Sequence, residues 1–138
     1  MLSQASVIPF LATTQPDQSR RFYEDVLGLS LVADEPSALV FDAGGSMLRV
    51  SKVKQFTPAP HTALGWQVES IRRFARWLID RGIEVLRFEG MPQDDLGVCV
   101  FPNGTQVVWF KDPDGNLLSL TEFSNSRDRP EQPRPSIA

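Results

Sequence analysis

The chain holds one histidine, His61, and one cysteine, Cys99, among its 138 residues. A divalent-metal site needs three or four nitrogen, oxygen or sulfur donors, so a histidine-rich or cysteine-rich site is excluded by inventory. Cys99 cannot form an intrachain disulfide, and within the apolar run Val98-Cys99-Val100 it reads as a small buried hydrophobe. Asp112 and Asp114 have the spacing of a carboxylate pair that could share acid and base work. Between them stands Pro113, and Gly115 follows, so the same residues make a turn: proline presets φ, aspartate tolerates the second position and glycine takes a positive φ. Turn-making is the stronger reading. Glu89, Asp94 and Asp95 fall in one loop, where they could form an acidic lid but more simply carry solvated charge. A serine nucleophile is disfavoured, because no Gly-x-Ser-x-Gly elbow occurs and His61 has no nearby partner in sequence.

These groups must be positioned by elements whose order repeats. Residues 6–12 are apolar and β-prone, and Gln15-Pro16-Asp17 starts a helix that runs to about Val26 and ends at Gly28. Short strands follow at about 29–33, 38–41 and 47–50, with Gly44-Gly45 reversing the chain between the last two. Residues 53–61, with Pro58 and Pro60, form a linker. The order then returns with a strand at 62–68, Ser70 as helix N-cap, and a helix whose Ile71, Phe74, Ala75, Leu78 and Ile79 share one face. Strands at 83–88, 98–101, 106–110 and 117–123 complete this half, Asn103-Gly104 making a tight turn. Arg20-Arg21-Phe22 in the first helix recurs as Arg72-Arg73-Phe74 in the second, which supports duplication of one unit with an insertion at 89–97. Residues 125–138, rich in proline and arginine, are expected to be a disordered tail; the Pro130/Pro133 spacing is best explained by chance.

Fourteen basic against seventeen acidic residues give a net charge of -3, which supplies no positive field for nucleic acid. No apolar run approaches the roughly 20 residues that span a bilayer, and the first residues do not resemble a secretory signal, so the expectation is a cytoplasmic protein.

The run Phe22-Tyr23-Glu24-Asp25-Val26-Leu27-Gly28-Leu29 resembles the first-helix signature of the vicinal oxygen chelate superfamily, the glyoxalase, bleomycin-resistance and dioxygenase group. Trp109-Phe110-Lys111-Asp112-Pro113-Asp114-Gly115-Asn116 resembles its last hairpin. The resemblance covers residues 6–123 and implies an α+β fold: tandem βαβββ units, about 6–52 and 62–123, forming a curved, cup-shaped mixed sheet with helices outside. Residues 1–124 would form one domain. The resemblance also implies a homodimer, and chemistry in the cup at a metal held by side chains from the first and last strands of each unit.

The corresponding positions here are Ile8, Arg49, Ala63 and Ser119, none of them an imidazole or a carboxylate. No metal or other cofactor is therefore expected. His61, two residues before Ala63, shares its strand face if the strand extends that far, which keeps a displaced ligand open. Strand alternation would turn Ile8, Phe10, Met47, Arg49, Ser51, Ala63, Gly65 and Gln67 into the cup. If Pro113-Asp114-Gly115 is the loop, Asp112 pairs with Asn116 and Trp109 stands opposite Ser119 as an aromatic wall, whereas a loop shorter by one residue would turn Trp109 outward. Arg49 could hold a carboxylate bidentately in place of a metal, or simply pair with a surface acid. The function implied is binding of a small organic molecule, anionic or aromatic, by shape and polar contacts, as in the sequestering members. The alternative is a lyase, isomerase or dioxygenase-type enzyme with an unusual metal site or a protein acid and base.

Overall fold

The computed structural model describes residues 1–124, and the proposed C-terminal tail lies outside them. The described chain divides into two compact units, Met1–Pro58 and the residues from Ala59 onward.

In the first unit a 3₁₀ turn, Leu2–Gln4, precedes strand β1, Phe10–Thr13. This strand starts later than the sequence pattern suggests, although the Pro9 carbonyl still accepts the Arg49 N–H at 3.0 Å. Helix α1 spans Pro16–Arg20, with proline in its first turn, where its missing N–H costs nothing. The chain continues as a π-helix over Arg21–Val26 rather than the regular α-helix expected there. The Leu27 N–H reaches back five residues to the Phe22 carbonyl at 2.9 Å. Within this wider turn Tyr23 is fully buried while Phe22 is half-buried. The Tyr23 ring meets Phe22 edge-on at 5.1 Å and leans on Phe41 of the sheet at 5.6 Å.

Strands β2 (Ser30–Asp34), β3 (Ala38–Ala43) and β4 (Ser46–Lys52) complete a four-stranded sheet of order β1-β4-β3-β2, with β1 parallel to β4 and the other pairs antiparallel. Leu39, Phe41, Leu48 and Val50 alternate onto the face that meets Tyr23, and all are almost wholly buried. The β2–β3 register shifts between Leu31 and Ala33, a bulge that leaves Val32 53% exposed.

The second unit repeats this order: β5 (Leu64–Gln67), α2 (Ile71–Asp80), β6 (Cys99–Val100), β7 (Gln106–Lys111) and β8 (Leu117–Glu122). Its sheet, β5-β8-β7-β6, again has the first and last strands of the unit paired in parallel, with the first strand at the sheet edge. Each unit is thus a four-stranded mixed sheet with a helical connection, as the βαβββ duplication requires. Helix α2 packs on β7 and β8 through Ile71, Ala75 and Leu78, above a sheet face built from Val108, Phe110, Leu118 and Leu120. Ser70 occupies the N-cap but makes no side-chain cap bond. The Ile71 N–H instead donates to Glu122 Oε1 at 2.7 Å, so a carboxylate from the last strand caps the helix.

Two expected strands change character. Residues 83–88 form no strand, and 98–101 shrink to Cys99–Val100. The Leu86 N–H bonds the Trp109 carbonyl at 2.8 Å, but the outer side of this segment is satisfied by a side chain. Gln93 accepts from the Phe88 N–H and donates to the Leu86 and Gly97 carbonyls, at 2.7, 2.8 and 2.8 Å. One amide group therefore stands where a neighbouring strand would have to be.

Candidate functional site

The candidate residues lie on the sheet faces turned away from the helices. In the first unit Phe10 is in register with Arg49, and Ala12 with Ser51, along the parallel β1–β4 pair. Across β3–β4, Met47, Arg49 and Ser51 stand opposite Asp42, Val40 and Ala38. Cross-strand partners share a face, so Phe10, Met47, Arg49 and Ser51 form one surface with Val40 and Ala38. Val40 and Ala38 are buried, Met47, Arg49 and Ser51 are partly exposed, and Phe10 is 59% exposed. Ile8 lies ahead of β1 and is 45% exposed. The Arg49 guanidinium donates from Nη2 to Glu35 Oε2 at 2.8 Å, in a pair whose side chains are 25% and 43% exposed. Arg49 is accordingly matched by a neighbouring carboxylate, a partner the sequence did not single out.

In the second unit Gly65 is in register with Ser119, and Gln67 with Thr121, across the parallel β5–β8 pair. Trp109 stands opposite Ser119 across β7–β8, and the Asp112 N–H bonds the Asn116 carbonyl at 3.1 Å. Gly65, Ser119 and Trp109 thus form one row across three strands. A Cβ on Gly65 would fall 2.7 Å from Ser119 Oγ, so the bare backbone of β5 makes room for that hydroxyl. Ala63 lies exposed before β5 with its N–H on the Leu117 carbonyl at 2.8 Å. His61 is exposed and outside any strand.

Phe88 and Phe101 join this face through Trp109. Their ring centroids lie 5.3 and 6.5 Å from the indole, at interplanar angles of 90° and 84°. Edge-to-face packing of this kind fixes all three rings. Neither phenylalanine stood out in the sequence as a candidate site residue. Phe101 shares strand parity with Cys99, which pairs with Val107, and that parity was the available signal. Nothing in sequence marked Phe88, which reaches Trp109 only because the Gln93 side chain holds its segment.

Asp112, Asp94 and Asp95 have structural partners. Asp112 is buried and its Oδ1 accepts the Asp114 and Asn116 N–H groups, both at 2.9 Å, while Oδ2 accepts the Asn116 side-chain amide at 2.8 Å. Asp94 Oδ1 accepts the Leu96 and Val98 N–H groups, each at 2.9 Å. Arg72 of α2 pairs with Asp94 and with Asp95, and its hydrogen bond, the largest effect, holds the Asp95 carboxyl below its ordinary range. The loop carboxylates therefore fasten the loop to the helix.

A metal held in the manner of the superfamily does not fit these residues. Ile8 and Ala63 have no donor, Arg49 presents a cation paired with Glu35, and Ser119 offers one weak neutral oxygen. Among the described residues no three His, Cys, Asp or Glu side chains are grouped so as to hold an ion. Among them, too, no helix is long and apolar enough to cross a membrane.

Paired βαβββ units with a shared strand order define a glyoxalase-type fold. Residues 5–120 match the family described as the Glyoxalase/Bleomycin resistance protein/Dioxygenase superfamily, and the chain belongs to it. Similar solved structures include a glyoxalase/bleomycin resistance protein/dioxygenase from Alicyclobacillus acidocaldarius, 18% identical with a TM-score of 0.67 over 90% of this chain and 95% of that one. A lactoylglutathione lyase from Agrobacterium tumefaciens is 21% identical, with a TM-score of 0.67 over 86% of this chain and 93% of that chain. A glyoxalase/bleomycin resistance protein/dioxygenase from Nocardioides is 18% identical, with a TM-score of 0.65 over 99% and 94%. At these identities the likeness is one of fold. No curated protein matches the chain.

Proposed function

We propose that this chain binds a small organic molecule with an aromatic part, held by ring contacts and polar groups rather than by a metal. The observation that carries this reading is the row Gly65-Ser119-Trp109 with Phe88 and Phe101 packed edge-on against the indole. A partly exposed aromatic surface beside the hydroxyl of Ser119, a residue only 6% exposed, offers area for a ring and one directional contact. Gln67 and Ala63 border this row, and on the other sheet Phe10, Met47, Arg49 and Ser51 form the second binding surface, with Ile8 at its margin. Arg49 is the anion anchor of that surface. Its pair with Glu35 is only partly exposed, but solvent still reaches it and holds its worth to about 1 kcal/mol or less, and a ligand carboxylate that accepts bidentately displaces Glu35. The protein works as a cytoplasmic homodimer of one domain per chain.

The test is a calorimetric binding screen of aromatic carboxylates against protein purified without chelator, with metal analysis of the same sample. Binding without metal, lost in Trp109→Ala, is the expected result. A stoichiometric divalent ion, or binding that requires an added one, would defeat the metal-free reading and favour the enzymatic one.

A further inference from the structure

The face carrying Trp109 and Ser119 does not end with β7 and β8. By alternation Thr105 continues it two residues before Val107, and Phe123 two residues after Thr121, while Val107 and Thr121 are themselves in register. There the chain forms a depression of about 540 Å³, lined by Phe101, Pro102, Asn103, Thr105 and Phe123. Phe101 belongs both to this depression and to the ring cluster on Trp109.

Two features of the depression point to a ligand. The lining has no charged side chain, so nothing in it compensates a buried ionic group. Thr105 is 8% exposed, and its Oγ1 is buried without a hydrogen-bond partner among the described residues. Its backbone is fully engaged, the N–H on Asn103 Oδ1 at 3.0 Å and the carbonyl on the Phe101 N–H at 2.8 Å. The backbone of Thr105 is fixed while its hydroxyl is left over. Most buried polar groups have a partner, and a threonine hydroxyl can donate or accept by rotation.

We propose that this depression is a second subsite, distinct from the Ser119 row, for an uncharged, mostly aromatic group carrying one hydroxyl or carbonyl oxygen. Phe101 and Phe123 contact the ring, and rotation of the Thr105 side chain about Cα–Cβ gives its hydroxyl to the polar atom. The subsite does not depend on Arg49, and it shares only Phe101 with the Trp109 row.

The test uses 2-naphthol, neutral at pH 7, and 2-naphthoate as its charged counterpart, titrated into the full-length chain while backbone amide shifts are followed by NMR. Saturable shifts at Phe101, Asn103, Thr105 and Phe123 with 2-naphthol, weaker binding of 2-naphthoate, and an affinity loss of about fivefold in Thr105→Val support the subsite. Thr105→Val is isosteric and removes a group with no partner among the described residues, so the fold should persist. Shifts confined to Trp109 and Ser119 would overturn the subsite while leaving the metal-free binding reading intact. No shift at the depression, the outcome expected if residues 125–138 or a second copy of the chain cover it, overturns it as well. So does equal affinity for the naphthoate.

Discussion

Arg49 sits where one guanidinium can serve either of two roles. Position alone made it either a substitute for a metal ligand or half of a surface ion pair, and its contact with Glu35 supplies the second arrangement without removing the first. The two roles separate experimentally. Arg49→Ala should abolish binding of an anion at the surface of the first sheet while moving the melting temperature by less than about 2 °C, since a pair still open to solvent contributes little to folding. Unchanged binding would remove Arg49 from the site. Gly115 is a purely structural counterpart: its φ of 88° closes the turn in which its N–H meets the Asp112 carbonyl. A β-branched residue reaches that φ only with strain, so Gly115→Val should destabilise by more than ~1 kcal/mol in urea unfolding. An unaltered midpoint would mean the turn tolerates a side chain there.

At the scale of elements, the start of α2 and the loop before β6 are held by side chains rather than by regular backbone pairing. Ser70 has the residue type of a cap but leaves the work to Glu122, 51 positions away from the amide it accepts. Ser70→Ala should therefore be close to neutral, whereas Glu122→Ala should cost about 1–2 kcal/mol, and thermal denaturation of the two variants compares them directly. The reverse ranking would restore the local cap. The 83–98 loop depends on Gln93, on Asp94 bonded to two backbone N–H groups, and on buried Gly97, whose φ is +84° and whose missing Cβ would strike Val85. Gly97→Ala should destabilise by more than ~1 kcal/mol and also weaken aromatic binding, because the same loop places Phe88 on Trp109. Loss of stability with intact binding would uncouple loop and site.

Over the whole molecule, charge is nearly balanced, and much of it is spent in surface pairs. Lys52 sits 2.5 Å from Asp34, which Arg20 also approaches at 3.4 Å. The hydrogen bond from Lys52, the largest effect, lowers the Asp34 carboxyl below its ordinary value, as Arg72 lowers Asp95. A carboxyl depressed in the folded state takes up its proton later than in the unfolded chain. Its stabilisation is thus complete above the ordinary carboxylate range and is lost as pH falls through the folded value. The melting temperature should hold steady from neutrality down to that range and then drop. Asp34→Asn should shallow the drop and have a smaller effect in 0.5 M salt, because exposed pairs are screened. An identical acid limb in the variant would show that Asp34 contributes nothing to it.

Sequence alone determined the repeated strand–helix–strand order, the Asp112–Asn116 turn and the resulting pairing of Trp109 with Ser119. These follow from local rules: alternation along strands, glycine where φ turns positive, and a count through a Pro113-Asp114-Gly115 loop whose length the Asp112–Asn116 hydrogen bond then bore out. Sequence also determined that the usual metal-ligand positions carry no imidazole or carboxylate, since residue types are read directly. Tertiary structure decided that Glu122 rather than Ser70 caps α2, that Gln93 replaces a strand beside residues 83–88, that Arg49 faces Glu35, and that Phe88 and Phe101 close on Trp109. Each of these joins groups from separate stretches of chain, and no periodicity encodes which distant side chain will meet a given backbone amide once both are folded.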